Sequence, residues 1–126
     1  MIDMSVALVN WNNRDYLEDC LTSIDAAKLP FSYEIVIADN GSTDGSHEML
    51  AEHFPYVRIV QNEGNVGVAR GNNQCIQNST GRYIWILNND TLVNRKSVEA
   101  MVRFLDEHPE AGAAGGNLLN PDGTLQ

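Results

Sequence analysis

The chain has little basic charge, little sulfur and no long apolar run. Its 126 residues include 8 Lys and Arg against 17 Asp and Glu, a formal net charge of −9 with a pI near 4.5. A nucleic-acid surface needs a basic stripe and an anionic bilayer attracts basic segments, so neither is the expected partner. An anionic ligand would have to be neutralised locally, by a metal ion or by backbone amides. Cysteine is confined to Cys20 and Cys75, which lie far apart inside helical patterns, without the Cys-x-x-Cys or Cys/His spacing that would hold zinc. Both read as small core residues in a reducing compartment. No stretch reaches the ~18 apolar residues of a membrane span. The start, Met1-Ile2-Asp3-Met4-Ser5, lacks the basic segment and apolar run of a signal peptide, so the expected location is cytoplasmic. Also missing is a Gly-x-Gly-x-x-Gly after the first strand, which argues against a dinucleotide-binding or flavodoxin-like domain.

What is present is a regular alternation. A hydrophobic content of 43% supports one ordinary core, hence one domain. Ser5–Val9 reads as a strand, followed by a helix over about Arg14–Lys28 with Tyr16, Leu17, Cys20, Leu21 and Ile24 on one face and Pro30 as its stop. Glu34–Ala38 is a second strand, Glu48–Phe54 a short helix, Val57–Val60 a third strand and Val68–Asn78 a third helix carrying Ala69, Asn72, Asn73 and Ile76. Tyr83–Leu87 reads as a strand buried on both faces, because its apolar residues do not alternate with polar ones. A fourth helix over Lys96–His108 has Val98, Met101, Val102 and Leu105 facing inward and Asn94 as its cap. Ala111–Leu119 looks like a fifth strand, with a tight turn at Asn120-Pro121-Asp122-Gly123. Such alternation makes an α/β fold with a mainly parallel sheet.

All four leading strands run into polar clusters: Asn10 to Asn13, Asp39 to Asp44, Gln61 to Asn65 and Asn88 to Asp90. In a parallel sheet these ends share one edge, where open α/β sheets bind ligands. Polar loops are ordinary there, and Asn and Asp also serve turns and caps. Carboxylates and many amides gathered on one rim nevertheless point to a ligand site. Asp90 offers one of the one or two carboxylates that a magnesium or manganese ion takes from a protein when it also bridges to a diphosphate.

Val9-Asn10-Trp11-Asn12, Ala38-Asp39-Asn40-Gly41-Ser42-Thr43-Asp44-Gly45-Ser46, Asn65-x-Gly67-x-Ala69-x-Gly71-Asn72-Asn73 and Leu87-Asn88-Asn89-Asp90-Thr91 occur in that order. This ordered set resembles the nucleotide-binding half of family 2 glycosyltransferases, and most nearly their rhamnosyltransferase-like branch. The resemblance implies a three-layer, Rossmann-like GT-A fold in which residues 1–126 form the nucleotide-sugar-binding part of one domain, cut short before the acceptor half. It implies an inverting transfer from a UDP- or dTDP-sugar to a glycan or lipid-linked glycan acceptor, in cell-surface polysaccharide synthesis, with Mg2+ or Mn2+ as cofactor.

The resemblance also assigns roles. Asp39 matches the aspartate that accepts a hydrogen bond from the imide N–H of uracil or thymine, a task suited to an acceptor-only carboxylate. Val9, Asn10 and Trp11 match the lining of the base and ribose pocket, with a core aromatic as the alternative for Trp11. Asn72, Asn88 and Asn89 fall among the nucleotide-binding positions, and Asp90 matches the metal ligand. Two departures stand out. Asn88-Asn89-Asp90 replaces Asp-x-Asp, leaving a single carboxylate, and Asn72 replaces an arginine whose five-donor fork a carboxamide does not reproduce. Asp44, placed in the first turn of the second helix, reads as structural. Gly64, Gly67 and Gly71 read as loop flexibility or as points of close backbone approach.

The family's catalytic base lies in its carboxyl-terminal half, so it is expected beyond Gln126, and this chain alone is expected to bind nucleotide while turning over poorly or not at all. A non-catalytic nucleotide-binding or assembly module of the same fold is the alternative. Peripheral membrane association and self-association are left open.

Overall fold

A computed structural model describes residues 1–126. Its elements run β1 (Met4–Asn10), α1 (Arg14–Ala27), β2 (Tyr33–Asp39), α2 (Ser46–His53), β3 (Arg58–Gln61), α3 (Val68–Gln77), β4 (Tyr83–Ile86) and α4 (Arg95–Glu107). The four strands form one sheet in the order β3-β2-β1-β4, and every pairing is parallel. The expected α/β architecture is therefore observed.

The period of two along each strand divides the core. Val6 and Leu8 of β1 and Ile35 and Ile37 of β2 pack with Leu17, Cys20, Leu21 and Ile24 of α1, Met49 and Leu50 of α2 and Val98 of α4. On the other face Ala7, Val36 and Ala38 meet Cys75 of α3. Small residues there let α3 lie close to the sheet. Gly71 is the tightest point of that approach, since a Cβ built on it would stand 2.8 Å from Val9 Cγ2. Both cysteines are fully buried and unpaired. Burial pushes the Cys20 thiol up to about 11, so it stays protonated at neutral pH.

Helix ends follow local chemistry. Lys28 adopts a left-handed conformation (φ 46°) as the C-cap of α1, its amide donating to Asp25 O, and Pro30 follows two residues on. Asn94 caps α4 as expected, its side chain accepting from the Lys96 and Ser97 amides at 2.9 and 3.4 Å.

Three expectations are corrected. β4 is not buried on both faces: it is an edge strand, and Ile84 and Ile86 are exposed on the α3 face because α3 packs over β1 and β2 rather than β4. Ala111–Leu119 forms no strand, only a single antiparallel bridge from Leu119 to Leu125 across the Asn120–Gly123 turn. That stretch holds Gly112, Gly115 and Gly116 and pairs with no edge of the sheet, so it makes no ladder of hydrogen bonds. Asp44 precedes the Gly45 N-cap of α2 instead of lying in its first turn. Its carboxylate accepts from Ser46 N (3.1 Å) and from Arg14 N at the start of α1 (2.8 Å), tying two helix N-termini together.

Candidate functional site at the strand ends

The chain goes from β1 outward through β2 to β3, then crosses back over the α3 face to place β4 on the other side of β1. The direction of winding reverses between β1 and β4, and an open parallel sheet leaves a crevice at the carboxyl ends of such strands. A cavity of about 160 Å³ lies there, lined by Val9, Val68, Asn72, Leu87, Asn88, Asn89 and Asp90. Five of the eight residues expected in the site therefore share one hollow. Asn10 and Asp39 lie beside it, at the paired ends of β1 and β2. Trp11 is 56% exposed above the rim, which removes its reading as a core aromatic.

Asp39 is 1% exposed and its carboxylate is saturated. Oδ1 accepts from Asn10 Nδ2 (3.0 Å) and Ser42 Oγ (2.7 Å), while Oδ2 accepts from Ser42 N (3.0 Å) and Gln61 Nε2 (3.0 Å). Burial pushes this carboxyl up, but the bonds from Ser42, Asn10 and Gln61 outweigh it and hold the group below the ordinary aspartate range. It stays ionised, hence acceptor-only, at any physiological pH.

The same amide chemistry joins β1 to the loop after β4. Asn89 Nδ2 donates to Asn10 Oδ1 (2.9 Å), and Asn89 Oδ1 accepts from Asn13 Nδ2 (2.8 Å). Both ends of the Asn89 amide are thus engaged, so this side chain braces the rim more than it offers itself to a ligand. Asn88 turns its carbonyl to Thr91 Oγ1 (2.7 Å) while its side chain lines the cavity. A second lattice of amides, Asn40 with Asn62 and Asn65 and a reciprocal pair between Asn62 and Gln74, ties the end of β2 to α3.

β2 and β4 both pair with β1 in parallel, so Asp39, at the end of β2, and Asp90, in the loop that follows β4, lie at the same edge of the sheet on either side of β1. The donor set fits a hard cation only in part. Asp90 is exposed with the Asn88 carboxamide beside it, and no cluster of three acidic, His or Cys residues exists in the chain. Mg2+ or Mn2+ bound by one carboxylate and otherwise by water and diphosphate oxygens matches this set, while a cage built from protein alone does not.

Gln61, Ser42 and Asn13 were not singled out from the sequence. Each lies in or beside a strand-end polar cluster, so the signal was positional, but nothing local says which amide reaches Asp39.

Acid should undo this region first. Asp39 and Asp44 here, and Glu34 at the opposite edge of the sheet, all sit below their ordinary pKa through hydrogen bonds that outweigh burial. Their contribution is complete above the unfolded values of about 3.9 to 4.3 and is lost as pH falls through the depressed folded values. The thermal midpoint is expected to be flat from pH 8 to about 5 and to drop steeply below about 4; Asp39→Asn should flatten that drop. Melting curves across this range by circular dichroism check it.

A wholly parallel sheet with a polar crevice at its switch point defines an α/β protein with a candidate ligand site at the carboxyl ends of its strands. The model of the family Glycosyl transferase family 2 matches residues 5–126, and the chain belongs to that family. The putative teichuronic acid biosynthesis glycosyltransferase TuaG of Bacillus subtilis is 30% identical over 125 residues, covering 96% of this chain and 49% of that protein. The N-acetylglucosaminyl-diphospho-decaprenol L-rhamnosyltransferase of Mycobacterium tuberculosis is 28% identical over 134 residues, 97% of this chain and 43% of that one. The latter accords with the rhamnosyltransferase-like branch expected from the motifs. The chain thus spans about half the length of these relatives. Among solved structures, S. aureus TarS 1-349 in complex with UDP superposes with a TM-score of 0.74 at 24% identity, over 86% of this chain and 33% of that one. The mannosyltransferase PcManGT from Pyrobaculum calidifontis, in complex with GDP-Man and Mn2+, gives 0.75 at 22% identity, over 97% and 39%. These two likenesses establish the GT-A fold.

Proposed function

We propose that these residues form the donor-binding half of an inverting glycosyltransferase that takes a UDP- or dTDP-sugar and passes the sugar to a glycan or lipid-linked glycan acceptor at the cytoplasmic face of the membrane. One observation carries the reading: a buried, ionised acceptor at the end of β2 and an exposed carboxylate after β4 flank β1 on a single rim. The relatives' names and the ligands in the neighbouring structures support it.

Asp39 would accept the imide N–H of uracil or thymine, and a base presenting an acceptor there is repelled. Val9, Val68 and Leu87 give the crevice apolar walls that keep water from the ribose and phosphates. Asn89, braced between Asn10 and Asn13, fixes the loop on which Asp90 rides. Asp90 would hold Mg2+ or Mn2+, which when bound supplies Lewis-acid stabilisation of charge on the departing diphosphate. Inverting transfer further needs a carboxylate facing the acceptor hydroxyl to remove its proton. Asp90 is the one carboxylate lining the crevice and already has a task, so no residue of this crevice is assigned as that base.

The test is calorimetry with UDP and dTDP, each with and without Mg2+ or Mn2+. The metal should tighten binding by on the order of tenfold or more. In Asp90→Ala that enhancement should vanish while metal-free binding persists. Equal metal enhancement in the variant would remove Asp90 from the role, and no binding of any nucleotide diphosphate would remove the proposal.

A further inference from the structure

We propose that Gln61 is a gate on the base site: it occupies the Asp39 acceptor that the base must use and yields it to the incoming base. The inference rests on the reading of Asp39 as the base acceptor.

The reasoning starts from saturation. A carboxylate has about four lone-pair sites, and all four on Asp39 are filled by protein donors. Three of these donors are built into the fold. Asn10 is fully buried and also carries the bond from Asn89; the Ser42 amide is backbone, and its hydroxyl additionally takes the Asn12 amide at 2.9 Å. The fourth is different in kind. Gln61 ends β3, the edge strand on the side of the sheet away from β4, and its long side chain is exposed. Its Nε2 also donates to Asn62 O (2.9 Å), and its Oε1 meets His47 Nε2, which fixes the NH2 end toward Asp39.

No fifth donor fits around a filled carboxylate, so an imide N–H reaches Asp39 by replacing Gln61. For uracil or thymine the exchange is nearly even, one N–H for another. A base edge without that N–H, such as cytosine's N3, displaces Gln61 and leaves a buried lone pair unmatched, at full desolvation cost. Gln61 therefore competes with the base for Asp39 and lowers affinity for every nucleotide that displaces it, while the choice between uracil and cytosine rests on the Asp39 carboxylate itself.

The experiment uses the 126-residue chain and measures binding of UDP by calorimetry for wild type, Gln61→Ala, Gln61→Leu and Asp39→Asn. Both Gln61 variants should bind UDP about threefold to tenfold more tightly, the equivalent of one net hydrogen bond no longer contested. The Gln61 side-chain amide signals, assigned by their loss in Gln61→Ala, should shift toward solvent-exposed values on saturation with UDP. Unchanged or weaker UDP binding in both Gln61 variants, or amide signals that stay in place at saturation, overturns the gate. If instead Asp39→Asn binds UDP as wild type does, the base assignment itself falls. The two failures are thus told apart.

Discussion

Asp39→Asn should reduce UDP affinity on the order of 100-fold and at the same time lower the stability of the chain by about 3 kcal/mol. Both effects come from one exchange of an acceptor for a donor. With the new carbonyl toward Asn10 and the Ser42 hydroxyl, the new NH2 faces the Ser42 amide and Gln61 Nε2, two donors it cannot satisfy. A site 1% exposed admits little water to relieve them. The same NH2 would meet the imide N–H of a pyrimidine donor to donor. Urea unfolding gives the first quantity and calorimetry the second. A variant within about threefold of wild type for UDP would mean that the base lies elsewhere.

Gly81→Ala should be the most damaging of the glycine substitutions, at about 3 kcal/mol, seen as a fall in thermal midpoint of roughly 10 °C. Gly81 lies just ahead of β4, and a Cβ there would stand 2.5 Å from Ser5 N and 2.7 Å from both Met4 C and Ser5 Oγ. Most of these are main-chain or main-chain-anchored atoms with no rotamer to escape into. The contact also sets register, because Gly81 N donates to Ser5 Oγ (2.8 Å) while Ser5 Oγ donates to Glu34 Oε1 (2.7 Å). Glu34 in turn accepts from the Thr80 amide (2.6 Å), locking the entry of β4 against β1 and β2. Displacing β4 here moves Asn88 to Asp90 at its other end, so UDP binding should weaken as well. Gly64→Ala is the control: nothing lies within 4 Å of its Cβ and its φ is not positive, so no comparable loss is expected. Equal midpoints for the two variants would contradict the account of how β4 is seated.

Much of this was legible in the sequence, for reasons that differ by element. Val6 to Val9 and Ile35 to Ala38 are continuous apolar runs, and a run covered on both sides keeps that composition wherever it sits in a parallel sheet. Tyr83 to Leu87 has the same composition but lies at the edge, because the path of α3, which no local pattern encodes, leaves Ile84 and Ile86 open. Ala111 to Leu119 carries apolar residues without a partner edge, and strand formation depends on the partner. At the site, the clustering of Asn10, Asp39 and Asp90 on one rim followed from strand ends alone. The saturation of Asp39 did not, since Ser42 and Gln61 reach it from a loop and a neighbouring strand. The engagement of both ends of Asn89 was hidden likewise, for its partners Asn10 and Asn13 lie more than seventy residues away in sequence.

A crystal structure of the chain with UDP and Mn2+ would be the most direct examination of the shared rim. It should show the uracil N3–H on an Asp39 oxygen, the diphosphate lying across the end of β1, and the manganese ion bridging the phosphates to Asp90. A nucleotide seated away from Asp39, or a metal ion held without Asp90, would contradict the arrangement on which the donor-binding role depends.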